Sequence, residues 1–259
     1  MKLFVSLINK ILIRFNCIIV NVDKYNEERL VSINKTLSHF LKFKPFFSNI
    51  PIIFDVGGHY GETVERYNKL YEKSILHTFE PNAEFYKKLK LFCANQTNEN
   101  NKIFPHNIAL GEKVEKKKYF EYSKTLYSGF YKLKKNGNSN DHVIKKTFDF
   151  STQSGDNFCK LNNINSIDIL KINVQGYEPN VIRGFKQKLK NNKIKTIIVE
   201  FDYSHRYEKN VTISDLESLL VPYGYTLFDI PLLRKSNNDS FKVKHGYLLF
   251  TNKEMSKIK

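Results

Sequence analysis

The chain reads as a doubly wound α/β protein, a mostly parallel sheet with helices on both faces. Three observations predict this. Short apolar runs alternate with helical stretches from residue 51 onward. The first run ends in a glycine-rich turn that opens a helix. Polar residues gather at the ends of the apolar runs, where open α/β sheets bind their ligands. At 259 residues, 41% hydrophobic and 26% charged, the chain has material for one large folded domain and is not a disordered protein.

Two parts are expected: a helical extension over 1–50 and a catalytic core over 51–259. Leu3, Phe4, Leu7, Ile8, Ile11 and Phe15 recur at steps of three and four, so they share a helical face. Lys2, Lys10 and Arg14 interrupt that segment, which excludes a secretory signal and a membrane span. Two readings stay open for residues 1–20. One is an amphipathic helix laid on a membrane surface. The other, preferred, is an accessory helix that covers the core. A second helix is expected from Asn26 to Phe43, before Pro45 and Pro51 break the pattern.

The core then alternates. Ile52–Val56 is a strand, followed by a helix over 62–71. Ser74–Phe79 is a strand closed by Glu80-Pro81-Asn82, with a helix over 83–93 behind it. Lys102–His106 is a third strand. Residues 113–146 break the rhythm and read as an insertion forming strands or a lid beside the site, with a strand over 118–122 and a basic Gly/Asn/Lys-rich loop over 132–140. A helix over 156–163, a strand over 166–173 and a helix opened by Pro179 and closed by Gly184 follow. Strands over 194–200, 225–228 and 247–251, with a helix over 214–220, complete the core.

Asp55-Val56-Gly57-Gly58-His59-Tyr60-Gly61-Glu62 is the strongest local signal. Its glycines permit a tight turn and a close approach to the backbone. Their spacing misses the G-x-G-x-x-G of dinucleotide sites. A carboxylate two residues before the first glycine repels pyrophosphate and suits a cationic ammonium. Glu80 ends the second strand, where an acid can accept hydrogen bonds from both hydroxyls of a ribose. Lys171-Ile172-Asn173-Val174-Gln175-Gly176-Tyr177-Glu178 puts further donors and acceptors at the same sheet edge. His59 is expected to be positioned by its turn and not catalytic.

In order, DVGGHYGE, FEPN, HNIALG, DILKINVQGYEPNVIRG and IIVEF resemble the FkbM-type methyltransferases, from about Pro51 to the last strand. The resemblance implies a class I, Rossmann-like methyltransferase fold, S-adenosylmethionine as donor, and transfer to a hydroxyl, often of a sugar in a surface glycan. It also implies cofactor-binding roles for Asp55, Gly57, Gly61 and Glu80. Asn107 and Ala109 fall near the adenine, and Lys171, Gly176 and Glu178 match the fourth-strand motif, where Lys171 and the polar Gln175 are taken as cofactor-binding. Asn173 stands where the family has Asp. An amide cannot act as a base, though it can orient an acceptor.

An alcohol acceptor must lose its proton as it attacks, so a base is expected past the fifth strand. Glu200, Asp202 and His205 are the candidates, with Glu200 preferred as a substrate-side residue and Asn173 able to orient the acceptor or the donor's amino group. No metal ligands are assigned, because no tight His/Asp/Glu cluster is visible, and metal dependence stays open. The formal charge of +16 attracts phosphates, acidic glycans or anionic lipid head groups, or reflects a composition rich in Lys and Asn throughout. It also permits a nucleic-acid methyltransferase. The chain lacks the Asn-Pro-Pro-aromatic motif of flipped-base chemistry and any recognisable RNA-binding module, which argues against that. A non-catalytic binding protein on the same scaffold is a third alternative. Cys17, Cys93 and Cys159 are too scattered for a disulfide framework, so a cytoplasmic location is expected.

Overall fold

The computed structural model describes residues 43–134, 143–235 and 242–255. The amphipathic segment over 1–20, the helix expected over 26–43 short of its last residue, Cys17 and most of the basic loop over 132–140 lie outside them.

The core elements are β1 (Ile52–Val56), α1 (Glu62–Leu70), β2 (Ser74–Phe79), α2 (Ala83–Gln96) and β3 (Asn101–His106). Then come β4 (Ala109–Gly111), β5 (Lys116–Tyr122), β6 (Ile144–Ser154) and α3 (Gly155–Leu161). The second half holds β7 (Ile167–Ile172), α4 (Glu178–Arg183), α5 (Lys186–Lys190) and β8 (Ile194–Asp202). It closes with α6 (Ile213–Leu220), β9 (Thr226–Lys235) and β10 (Val243–Thr251).

Seven strands form one sheet in the order β3-β2-β1-β7-β8-β10-β9. The first five run parallel, and β10 is antiparallel to both β8 and β9. The arrangement is Rossmann-like, as expected, with a reversed strand near one edge. Alternation divides the core. Phe54 points to the face covered by Phe158 of α3 and Phe185, with ring centroids 5.7 and 6.0 Å away. Asp55 points to the opposite face, on the side of α1 and α2, whose Val64, Tyr67, Phe85 and Leu89 are buried. The chain enters β1 tied to β7, since the Asp168 carboxylate accepts the Ser48 and Ile52 backbone N–H groups at 3.0 and 2.9 Å.

Residues 113–146 were expected to form strands or a lid beside the site. They hold β5 and the start of β6, which join β4 in a three-stranded sheet, β4-β6-β5, with β6 antiparallel to β5 and parallel to β4. No helix among the described residues is long and apolar enough to cross a membrane.

Candidate active site

The strand order reverses between β1 and β7, and this is where such sheets open a crevice at their carboxyl ends. Val56 pairs with both Phe79 and Ile172, and Ile172 pairs with Val199. Glu80, Gly57, Asn173 and Glu200 therefore emerge together, one residue further on. Tyr247 of β10 pairs with Glu200 and extends the row to a fifth strand.

The glycines of the first loop serve the protein's own packing. Gly57 has a φ of 90°, and a Cβ there would lie 1.9 Å from the Asn173 carbonyl oxygen. A Cβ on Gly58 would meet the Thr78 hydroxyl at 2.2 Å, and one on Gly61, with φ at 99°, would meet the Phe92 ring at 2.5 Å. The loop is pressed onto its neighbours, and the Phe79 carbonyl accepts the Gly57 and Gly58 N–H groups.

Asp55 was expected to face a cationic ammonium directly or through water, and within the chain its carboxylate meets a cation of the protein. It is fully buried, its Oδ1 lies 2.8 Å from the Lys171 ammonium, and its Oδ2 accepts from the Thr78 hydroxyl. Lys171 also donates to the Gly57 carbonyl at 3.0 Å. This internal ion pair fixes the glycine loop.

Glu80 is 4% exposed. Its Oε2 accepts the His59 backbone N–H at 3.0 Å and its Oε1 that of Asn82 at 2.8 Å. One lone pair on each oxygen remains for a ligand. Burial pushes its carboxyl up to about 8, against the pull of those two N–H groups and Lys171. Asn107 ties the next strand end to this one by donating to the Glu80 and Pro81 carbonyls at 2.9 and 2.7 Å. Ala109 is buried in β4 opposite Thr152.

The insertion is fastened over these loops. His59 Nε2 lies 3.1 Å from the Thr125 hydroxyl, and Asn82 donates to the buried Glu121 carboxylate at 2.8 Å. Asn82 also caps α2, accepting from the Glu84 and Phe85 N–H groups.

On the other side of the crevice the amides form a chain. Tyr207 donates to Gln175 Oε1 at 2.6 Å, Gln175 donates to Asn173 Oδ1 at 2.7 Å, and Asn173 donates to the Tyr247 hydroxyl at 2.7 Å. Beside it lies a narrow recess, open to solvent, lined by Gln175, Gly176, Glu178, Glu200, Asp202 and Tyr207, among others. Burial raises Glu200 to about 8, and its neighbours Glu178 and Asp202 add to the rise. Burial likewise raises Glu178 to about 7, although the Val174 N–H bonds to it at 2.8 Å.

His205 is not brought to this cluster. It sits at a φ of 54° on an exposed turn, with its Nδ1 2.8 Å from the Asn210 side chain. Tyr247 and Tyr207 were not anticipated. Tyr247 gains its place only through the β8–β10 register, and Tyr207 through an isolated bridge to Leu133. No group of three or more His, Cys, Asp or Glu side chains suited to a metal occurs among the described residues.

No curated protein matches the chain. Among solved structures it is similar to methyltransferase FkbM from Methylobacillus flagellatus KT, at 15% identity and a TM-score of 0.49, over 78% of this chain and 44% of that one. It thus spans less than half of that protein. It is also similar to the methyltransferase domain of bacterial CtHen1-C, at 13% identity and a TM-score of 0.46, over 88% and 98% of the two chains. A third is magnesium protoporphyrin IX methyltransferase from Synechocystis PCC 6803 with bound SAM, at 8% identity and a TM-score of 0.44, over 87% and 82%. Residues 55–227 match the family model of the methyltransferase FkbM domain. That match takes in the greater part of the chain and every strand end of the crevice except Tyr247, so the chain belongs to the FkbM methyltransferase family.

Proposed function

We propose that the chain is an S-adenosylmethionine-dependent O-methyltransferase acting on a hydroxyl, that of a sugar in a surface glycan or glycolipid precursor. Glu80 carries this reading. A buried carboxylate, held by two backbone N–H groups with one lone pair spare on each oxygen, fits the two hydroxyls of a ribose. Its position beside the switch point fits a nucleoside donor.

Bound there, the sulfonium donor supplies an electrophilic methyl group. The chain's own residues bind and align. Glu80 holds the ribose, Gly57 and Gly61 shape the loop beneath it, and Asn107 and Ala109 border the adenine side. Lys171 and Asp55 keep the loop in place. Asn173 and Gln175 divide the donor side from the acceptor pocket. Glu200, on the pocket wall, accepts the acceptor's proton, and a carboxyl raised toward neutrality suits that task. Close alignment of the acceptor oxygen supplies much of the acceleration.

Calorimetric titration with S-adenosylhomocysteine tests the donor assignment. Wild type is expected to bind one equivalent, and Glu80→Ala and Glu80→Gln to bind at least about tenfold more weakly. Wild-type affinity in both variants would refute it. Transfer of labelled methyl to a panel of glycosides then tests the acceptor class.

A further inference from the structure

We infer that the mouth of the acceptor pocket binds a phosphate or diphosphate group carried by the acceptor. This rests on the hydroxyl-methylating reading above and deepens it.

One wall of the pocket, at Tyr207 and Lys209, is carried by a segment that pairs with a second one. Leu133 bridges Tyr207 in antiparallel fashion, with the Lys134 N–H donating to the Arg206 carbonyl at 2.8 Å and the Glu208 N–H to that of Lys132 at 2.9 Å. Leu133 and Tyr207 are buried, and the Tyr207 hydroxyl reaches Gln175. Lys132, Lys134, Arg206 and Glu208 flank the bridged pair on these two segments. Lys132, Lys134 and Lys209 are exposed, and Arg206 is half-buried. Lys209 also lines the pocket.

Aromatic rings hold these cations in place. The Arg206 guanidinium lies 4.6 Å from the centre of the Tyr127 ring, and the Lys124 ammonium lies 4.9 Å from the same ring. Lys209 lies over Tyr131 at 5.4 Å and Lys132 over Phe120 at 5.3 Å. A cation on a ring loses rotational freedom but keeps N–H donors for an anion.

The pocket behind this rim is lined by the carboxyls of Glu178, Glu200 and Asp202. They offer an anion no cation, so it finds its partners at the rim. A neutral sugar can instead donate its hydroxyls to the inner carboxyl oxygens. The charge division fits a ligand with a hydroxylated head and an anionic tail. Four cations on one short ribbon and its flank, one of them a forked guanidinium, favour phosphate oxygens.

The test uses the full chain and calorimetry with sodium pyrophosphate. One saturable site is expected. Arg206→Gln/Lys209→Gln should weaken it about tenfold or more, while Lys116→Gln/Lys118→Gln, which removes equal charge from β5, should change it less than about twofold. Should the first pair misfold, Lys132→Gln/Lys134→Gln replaces it at exposed positions. UDP-glucose and farnesyl diphosphate distinguish the source. Tighter binding of the first than of pyrophosphate assigns a nucleotide-linked acceptor, and of the second a lipid-linked one. Absence of a saturable site overturns the inference. Equal weakening by both pairs, or tighter binding of a single-stranded RNA 20-mer that both pairs weaken alike, reduces the mouth to a diffuse basic surface and also overturns it. S-adenosylhomocysteine binding is measured in the same samples, so loss of the donor reading registers separately.

Discussion

Lys171 and Asp55 form an ion pair at 2.8 Å beneath the glycine loop, with Asp55 fully buried and Lys171 nearly so. They stand on neighbouring strands in direct register. Removing one partner of such a pair leaves an uncompensated charge in the core. Lys171→Met should therefore destabilise the fold by about 3–5 kcal/mol, and Asp55→Asn/Lys171→Met should recover part of that loss. Urea unfolding of the three proteins checks this. A Lys171→Met variant as stable as wild type would show that the pair is not what secures the loop.

Glu80 links donor binding to pH. Burial raises its carboxyl to about 8 in the ligand-free protein, while ribose hydroxyls bond best to the ionised form. Binding should thus release a proton, and S-adenosylhomocysteine affinity should rise with pH until about 8. The slope is about tenfold per pH unit between pH 6 and 8, flattening above. Glu80→Gln should remove the slope and leave a weak, pH-independent affinity. A wild-type affinity that is flat across this range would contradict the assignment.

Stability of the ligand-free chain should fall above neutrality. Glu80 and Glu200 are raised by burial to about 8 and Glu178 to about 7. Each keeps in the fold a proton that the unfolded chain releases near pH 4.5. That contribution is complete at low pH and is lost as pH rises through 7 to 8. His77, His106 and His245 act in the other direction, since burial lowers each to about 4. Their contribution is complete above about 6.5 and is lost as pH falls toward 4. Between about pH 4.5 and 6.5 the two sets oppose each other, and above that the carboxyls act alone. The midpoint of thermal unfolding, measured at about 0.15 M salt to screen the general positive charge, should decline from pH 6.5 to 8.5. A steady rise over that interval would show that these carboxyls titrate normally.

Much of this site was legible because strand ends carry it. Asp55, Glu80, Lys171 and Glu200 each follow from an apolar run that stops at a polar residue. What stayed hidden depends on pairings distant in sequence. Asp55 finds Lys171 across 116 positions, and nothing local in DVGGHYGE announces an internal cation. The β6 strand escaped notice because Thr147, Phe148, Asp149 and Phe150 follow directly on a basic loop and face a small outlying sheet. β9 was expected to stop at Phe228, before Pro231. It runs on to Lys235 because it is an edge strand, and Pro231 falls where the pairing with β10 shifts register. α5, a single short turn of mostly Lys and Gln, carries too little periodicity to detect.

The amide chain across the crevice has a fixed direction, and Tyr207 sets it. A phenol hydroxyl can donate, and Gln175 Oε1 can only accept, so their 2.6 Å contact orients the Gln175 amide. Gln175 must then present its NH₂ to Asn173 Oδ1, and Asn173 its NH₂ to Tyr247. Gln175 is held at a φ of 57°, so the backbone also constrains it. The Tyr207 hydroxyl has a second, longer contact, 3.3 Å from the Tyr127 carbonyl. Tyr207→Phe keeps the ring in its cluster with Phe120, Tyr122 and Leu133, and should cost about 1–2 kcal/mol of stability. It frees the two amides to rotate beside the reacting groups. The rate of methyl transfer at saturating substrate should fall about tenfold, with S-adenosylhomocysteine affinity within about twofold of wild type. Tyr247→Phe should lower the rate as well, by leaving the Asn173 NH₂ without its acceptor. If Tyr207→Phe turns over at the wild-type rate, the order along the chain is incidental, and alignment of the acceptor must come from Glu200 and the pocket wall alone.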